Sequence, residues 1–355
     1  MSILLPVLSG LPRRGLITLR RIVVSDYGVF IGCKGDRVVI KKKGEKILEE
    51  AAANISQVLV CTKGVSLSSA FLRLALRHGI DLVILSDSGV PLGKLSRLKK
   101  GGIKVRKEQY KAQEDWRGVH LAKQMAKAKI VNQKNLLRQL ARYKASKSPE
   151  VAKRIMDTIY DMDQHVRNIE HISASNTDEA RGKIMFEEAR AADKYWTCVK
   201  LALSDVVDFP GRKKRFDRPT DPVNVLLNYG YYLLASTVWL AVDCTPLDPY
   251  IGFLHADSSR RPALVMDLME EFRGPVVDRA GFNVVKSGVE GLCDEGKLTT
   301  EGRKKLIKEF FGRLNTKITF RGRCQSIEYH ILLQARRICQ FLVGKTAEYV
   351  PFTVR

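Results

Sequence analysis

No two cysteines in this sequence stand in a C-x-x-C spacing: the seven, at 33, 61, 198, 244, 293, 324 and 339, are scattered and odd in number. That argues against a zinc site on paired cysteines and leaves no even disulfide framework, so reduced packing cysteines are expected. Internal repeats and low-complexity tracts are absent too. There is no obvious apolar run of bilayer-spanning length and no lipidation signal, so a membrane partner is not expected. Acidic residues are in deficit, 38 Asp+Glu against 61 Lys+Arg, for a formal net charge of +23. Such a charge attracts a polyanion from beyond contact distance, which makes nucleic acid the leading partner. The first fifteen residues place a short apolar stretch ahead of Arg13 and Arg14, the reverse of a secretory signal's order, so a cytoplasmic location is expected.

At 355 residues, 45% of them hydrophobic, the chain exceeds the size at which one core usually keeps growing, and two domains are expected. From Leu16 to about Leu95 it reads in short β-type pieces: LITLRRIVVS, YGVFIG, DRVVIKKK, ISQVLVCT, IDLVILSD and VPLGKL, punctuated by Gly28, Gly35, Gly44, Gly64 and Gly89. A single helix interrupts them, from about Ser66 to His78, with Gly79 as its stop. Too few helices join strands for a doubly wound fold. The expected class is therefore α+β: an N-terminal β-sandwich-like domain over 1–97, with no parallel sheet, then a larger all-α catalytic domain over 98–355.

After Gly101 and Gly102 the segments become long, charged and helix-forming. Between Arg97 and Arg154 there are 18 Lys+Arg and only 4 Asp+Glu. For any single lysine here a solvated face is the better reading, but clustering this one-sided makes sense mainly beside phosphates. The following segment, from about Pro149, repeats Ile155, Ile159, Met162, Val166 and Ile169 at spacings of four and three, a packing seam. Thr177 and Asp178 are candidate caps of the next helix. A second basic run, Arg212, Lys213, Lys214 and Arg215, precedes Tyr229, Tyr231 and Tyr232, of which Tyr229 is the candidate for base stacking. A third run comprises Arg303, Lys304, Lys305 and Lys308.

Two clusters can carry chemistry. In KIMFEEARAADKYWTCVKLAL the apolar stripe is Ile184, Met185, Ala192, Tyr195 and Val199, and Glu188 falls inside it while Glu187 points elsewhere. A carboxylate on an apolar face is costly to bury unless protonated, paired or bound to a cation, so a salt-bridged structural glutamate and a metal ligand are equal readings here. In YIGFLHADSSRRPALVMDLMEEFRGPVVDR, His255 follows an apolar run, where a lone histidine is usually a hydrogen-bonded core residue. Ser258 or Ser259 can cap a helix that puts Asp267, Glu270 and Glu271 on one face. The bland alternative is the polar side of a helix packed through Leu264, Leu268 and Phe272, and taken alone it is the better one.

A resemblance changes that balance. The Glu188 segment, with its alanines and Tyr195-Trp196, resembles the E-x-x-A-A-x-x-Y-aromatic motif of the CRISPR-associated protein 1 family, which inserts captured DNA fragments into CRISPR arrays. GRKKRFDRPTDPVNVLLNYGYYLL and LDPYIGFLH followed by RRPALVMDLMEEFR match its next motifs in order, and VCTKGVSLSSAFLRLALRHGIDLVILSDSGVPLGKL is similar to its N-terminal domain. The resemblance covers nearly the whole chain. It implies metal ligands at Glu188, His255 and Glu270, with Asp267 as a further catalytic acid beside them and no role for Glu271. It also implies Mg²⁺ or Mn²⁺, DNA as substrate (prespacer fragments and the CRISPR repeat), a homodimer formed largely through the N-terminal domain, and a CRISPR-associated protein 2 dimer flanked by two such dimers. Two other functions compete: a stand-alone metal-dependent nuclease acting on branched DNA in repair, and a non-enzymatic DNA-binding scaffold.

Overall fold

The computed structural model describes residues 3–7, 19–86, 89, 91–96, 101–213 and 215–354. Its N-terminal part comprises β1 (Ile3–Val7), β2 (Leu19–Val24), β3 (Val29–Lys34), β4 (Arg37–Lys42), β5 (Glu45–Ala51), β6 (Ile55–Val60), β7 (Ser66–Leu67), α1 (Ser69–His78), β8 (Asp81–Leu85) and β9 (Pro91–Leu95). These form two sheets, ordered β1-β2-β6-β8-β9 and β5-β4-β3-β7. Hairpins such as β4–β5 turn at Lys43-Gly44, both at positive φ (51° and 84°), the geometry that matches strand twist in a two-residue connection. Ser68 caps α1 by accepting from the Phe71 N–H, and Gly79 ends it in the left-handed region.

The class is α+β, a smaller strand-rich part followed by a larger helical one. One detail is corrected: β2, β6 and β8 pair in parallel at the centre of the five-stranded sheet, where no parallel sheet was expected. The second sheet bridges β2 to β6, and β7 with α1 bridges β6 to β8, so long connections replace tight turns. Both faces of these strands carry buried residues, although Ile84 of β8 is exposed. Ile22, Val24, Val58, Val60 and Leu82 pack towards α1 and the second sheet, while Val23, Leu59, Cys61 and Val83 join the core of the helical part. Hence VLVC and DLVIL read as continuous apolar runs and not as alternations.

The expected boundary at 97 and 98 lies outside the described residues; β9 ends at Leu95 and α2 opens at Ile103. The helical part contains α2 (Ile103–Ala112), α3 (Trp116–Lys144), α4 (Pro149–His171), α5 (Thr177–Leu203), α6 (Pro222–Asp243), α7 (Ala263–Met269), α8 (Arg279–Lys286), α9 (Thr300–Asn315) and α10 (Ile327–Leu342). Two small antiparallel hairpins interrupt it, β10 (Cys293–Asp294) with β11 (Lys297–Leu298), and β12 (Lys317–Phe320) with β13 (Arg323–Ser326). Helices α3, α4 and α5 pack on one another, and the α4 seam buries Ile155, Ile159, Met162 and Ile169 as its spacing requires.

Helix α6 is long and apolar enough to cross a membrane, a feature not expected from the sequence, but 67% of its most apolar window is buried inside the protein. It is a core helix. The two parts are further tied by buried Arg21 of β2, which pairs with Glu328 of α10 and Gln57 and lies 4.6 Å over the Phe311 ring. None of the seven cysteines is in a disulfide; Cys61 and Cys198 are buried as packing residues, whereas Cys244 and Cys324 are exposed.

Candidate active site

Helix α5 is capped by Asn176, not by Thr177 or Asp178: the Asn176 side chain accepts from the Glu179 N–H at 3.0 Å. Its buried stripe is Ala180, Ile184, Ala191, Tyr195 and Cys198; Met185, expected there, is exposed. Glu188 sits between Ile184 and Ala191 and faces α3, its Oε1 2.5 Å from the Lys129 ammonium. The same ammonium lies 2.9 Å from Oε2 of Glu270. Glu187 instead faces α4, pairing with His165 Nδ1 at 2.7 Å and accepting from Asn168 at 3.1 Å. Of the two adjacent glutamates, Glu188 is therefore the one that shares Lys129 with Glu270.

His255 arrives on the loop between α6 and α7. From α2, Gln109 donates to the carbonyls of Asp248 (2.9 Å) and Ile251 (2.8 Å), and Gln113 donates to that of Gly252 (2.8 Å). Fully buried Asp267 accepts from the backbone N–H groups of Phe253 (2.6 Å), Leu254 (3.0 Å) and His255 (2.8 Å), and its Oδ1 lies 2.7 Å from His255 Nδ1. Those donors replace the water a buried carboxylate would lose. Gly252 is required by close approach: a Cβ there would stand 2.7 Å from the Ala263 Cβ and 3.0 Å from Asp267 Oδ2. With Nδ1 committed to Asp267, Nε2 of His255 is turned to Glu270, 4.0 Å from its Oε1.

The helix expected to carry Asp267, Glu270 and Glu271 on one face, with Ser258 or Ser259 as cap, differs in both respects. Pro262 holds the cap position, and α7 ends at Met269 before the chain enters a π-helical segment, Arg273–Asp278. Departure from α geometry turns Glu271 away. It accepts from the Phe352 N–H (2.7 Å), Gln334 (2.8 Å) and the Tyr349 hydroxyl, anchoring the C-terminal tail. Nor are these acids the polar side of an amphipathic helix: Asp267, Glu270 and Glu271 are as buried as Leu264, Leu268 and Phe272.

Glu270 is balanced by several cations. Arg273 donates to its Oε1 at 3.0 Å and stacks 4.7 Å over the Tyr231 ring. Burial alone would push the Glu270 carboxyl up, but Arg273, Lys129 and His255 outweigh it and hold it well below the usual carboxylate range. Burial would likewise lower His255, yet Asp267 and Glu270 raise it. Beyond Arg273, Asp278 accepts from Tyr231 (2.6 Å) and from Tyr195 (2.9 Å), so the tyrosine of the α5 motif ties that helix to the segment following Glu270.

Of the four residues singled out in the sequence, the structure pairs His255 with Asp267 and sets it 4.0 Å from Glu270, while Glu188 is joined to Glu270 through Lys129; Lys129 and Arg273 were not singled out. Arg273 was signalled by its i+3 spacing from Glu270; Lys129 had no local signal. Among the described residues, no three His, Cys, Asp or Glu side chains stand close enough to hold an ion as placed, and the Lys129 ammonium lies between two of the carboxylates. The donors nonetheless fit one. Buried Glu270 Oε2 has the Lys129 ammonium beside it at 2.9 Å, a position a cation can take, and the set of one imidazole nitrogen and carboxylate oxygens suits Mg²⁺ or Mn²⁺.

The DNA-contact candidates divide. Arg212 is held by Asn224 (2.8 Å) and Asn228 (2.7 Å) against the Trp196 and Tyr231 rings, and the Lys213 side chain is exposed. Lys214 lies outside the described residues; Arg215 begins a short 3₁₀ turn. Tyr229 is corrected: 3% exposed, it packs in the core against Gly89 and offers no face to a base. The basic stretch of α3 is also less available than its charge suggests, because Lys134 pairs with Asp163, Lys144 with Asp205 (2.5 Å) and Lys127 with Glu170 (2.5 Å).

A strand-rich part docked on a helical part whose core gathers an imidazole and acidic residues defines a two-part, helix-dominated protein with a buried polar centre. The sequence profile of the family described as CRISPR associated protein Cas1 matches residues 22–311, and the chain belongs to that family. It is 34% identical to "CRISPR-associated endonuclease Cas1 1" of Archaeoglobus fulgidus, over 92% of this chain and 97% of that one. It is 31% identical to "CRISPR-associated endonuclease Cas1" of Korarchaeum cryptofilum, over 93% and 98%. Among solved structures, a casposase bound to an integration product superposes with a TM-score of 0.77 at 24% identity, covering 94% of both chains. A Cas1 protein from Thermotoga maritima superposes at 0.74 with 21% identity, covering 94% of this chain and all of that one.

Proposed function

We propose that this protein is a metal-dependent DNA endonuclease and integrase of CRISPR spacer acquisition. The observation that carries the reading is that Glu270 faces His255 and shares the Lys129 ammonium with Glu188, although 82 residues separate the two glutamates. The endonuclease names of its relatives support it, and so does the casposase among its structural neighbours, which is bound to an integration product. Glu188, Glu270 and Nε2 of His255 would hold Mg²⁺ or Mn²⁺. When bound, that ion supplies a Lewis acid that offsets the charge developing on a phosphodiester under attack. Asp267 keeps the proton on Nδ1 and so presents the Nε2 lone pair, while Arg273 fixes the Glu270 carboxylate. In strand transfer the 3′-hydroxyl oxygen of a captured fragment forms the new bond to phosphorus, and the repeat's own bond to that phosphorus breaks, leaving a free 3′-hydroxyl. With water as nucleophile, the same site cleaves.

The exposed basic residues bind the DNA backbone, and the protein acts as a homodimer joined through its N-terminal part. The second partner is a Cas2 dimer, a reading supported by another structural neighbour, a Cas6-RT-Cas1–Cas2 complex. The test is a strand-transfer assay in Mn²⁺ with a labelled fragment and a repeat-containing plasmid, for native protein and His255→Ala, with and without the partner. Label joined to plasmid by native protein only is expected. Cleavage of branched DNA without joining points to a repair nuclease, and binding without either reaction points to a scaffold.

A further inference from the structure

Lys129 is unusual among the cations of the basic stretch. Its neighbours Lys127, Lys134 and Lys144 each pair with one acid at the protein's periphery. Lys129 instead points into the site and meets two acids from distant segments, Glu188 of α5 and Glu270 beyond α7. Its side chain is only 17% exposed, those of Glu188 and Glu270 only 16% and 4%. Two carboxylates this close and this buried repel each other unless a cation lies between them, and in this structure that cation is supplied by the chain.

We propose that Lys129 is a positioning residue that acts as the site's internal counter-cation: its ammonium holds Glu188 and Glu270 together before metal enters and competes with the divalent ion for the same carboxylates. The inference rests on the metal reading above. Geometry forces the competition. An ion ligated by Glu188 and Glu270 needs the space between them, where the ammonium now lies 2.5 and 2.9 Å from their oxygens. A divalent ion also cannot share that space with a fixed positive charge without strong repulsion. Metal binding therefore requires Lys129 to withdraw, and that withdrawal is a standing cost on ion affinity. In return the acidic pair stays organised and charge-balanced without metal, so folding does not depend on an ion.

Mn²⁺ titration of DNA-free protein by calorimetry, with free aqueous Mn²⁺ counted by electron paramagnetic resonance, provides the test. Lys129→Met, which keeps the length and apolar stem but removes the charge, is expected to bind Mn²⁺ more tightly by about tenfold or more, since one charge is removed at contact range in a poorly solvated site. The same variant should melt lower without metal and gain more in Tm than native protein when Mn²⁺ is added. A merely structural lysine predicts the opposite, because losing it would loosen the site and weaken the ion. Lys129→Gln, a neutral side chain that keeps hydrogen-bond donors, carries the same expectation should the methionine variant fail to fold. Unchanged or weaker Mn²⁺ binding in the folded variant overturns the inference. Glu188→Gln separates that result from failure of the metal reading: if Glu188→Gln weakens Mn²⁺ binding while Lys129→Met does not tighten it, only the role of Lys129 falls. If Glu188→Gln changes nothing in either background, the metal site itself is wrong and the inference falls with it.

Discussion

Asp267 grips His255 at two points: its Oδ1 accepts from the histidine's backbone N–H at 2.8 Å and lies 2.7 Å from Nδ1 of its ring. The other oxygen accepts from the two preceding N–H groups, so one buried carboxylate fixes both the loop and the ring. Asp267→Asn would turn an amide NH₂ onto donors at one of these two positions. The expected result is Mn²⁺ affinity lower by about 10- to 100-fold, as for other residues that orient a ligating histidine. Stability should fall by about 1–3 kcal/mol from the backbone groups left unpaired. Calorimetric Mn²⁺ titration and denaturant melts check both; native-like Mn²⁺ affinity would show that the Asp267 contact does not serve the ion.

Adjacent glutamates give a sharper comparison. Glu188 pairs with Lys129, which also holds Glu270, whereas Glu187 pairs with His165 and Asn168 of α4. Glu188→Ala should abolish cleavage and strand transfer with the fold and most DNA affinity retained, because phosphate contacts come from other residues. Glu187→Ala should retain both reactions and lose about 1 kcal/mol of stability through its buried hydrogen bonds. Single-turnover assays in Mn²⁺ decide, and robust activity of Glu188→Ala would remove it from the site.

The parts of this protein legible in sequence are those where one pattern served one environment. The α4 seam and the helix expected from about Ser66 to His78, which the structure starts at Ser69, follow from local periodicity and the Gly79 stop. Strand β5, EKILEEA, was missed because glutamate, alanine and leucine favour helix locally; its hairpin with β4 overrides that preference. Parallel pairing was missed because β6 and β8 are apolar on both faces, which strand composition alone does not assign to a partner. In the site, Glu188 stood out as a charge on an apolar stripe. Glu271 was misplaced because the chain leaves α geometry after Met269, in a turn ahead of the π-helical segment, and Lys129 was lost among neighbouring lysines because its two partners lie in distant segments.

Asp81, at the start of β8, supplies a pH-linked prediction. Burial pushes its carboxyl up from 3.8 to about 6, with Lys94 only partly opposing. A raised carboxylate pKa means that the folded state prefers the protonated form. This contribution to stability is fully present below about 3.8 and is lost as pH rises through about 6. Asp81→Asn should therefore be more stable than native protein above pH 7 by about 1–3 kcal/mol, with the difference shrinking towards pH 4. Melts across that range check the sign; a variant less stable at pH 7.5 would show that the charged form is the favoured one.

The last prediction separates cations that hold the fold from those that hold DNA. Lys134 and Lys144 lie on the most basic stretch of the sequence, yet each is buried and paired with an acid of another segment, so neither is placed to displace counterions from a phosphate. Lys134→Met and Lys144→Met should shift Tm and leave the salt dependence of DNA binding unchanged. The run Arg212, Lys213, Lys214 and Arg215 should behave in the opposite way. Replacing all four with alanine is expected to weaken binding to every DNA sequence alike, and each lost phosphate contact should take about 0.9 from the slope of log K against log salt. Arg212 adds a stability cost of its own, because its guanidinium also holds Asn224 and Asn228. The matched controls Asn224→Ala and Asn228→Ala reproduce that cost while keeping the charge. Binding measured by fluorescence anisotropy at several salt concentrations discriminates: an unchanged slope in the four-residue variant removes this run from the interface, and a flattened slope in Lys134→Met would mean that its pair with Asp163 opens to admit DNA.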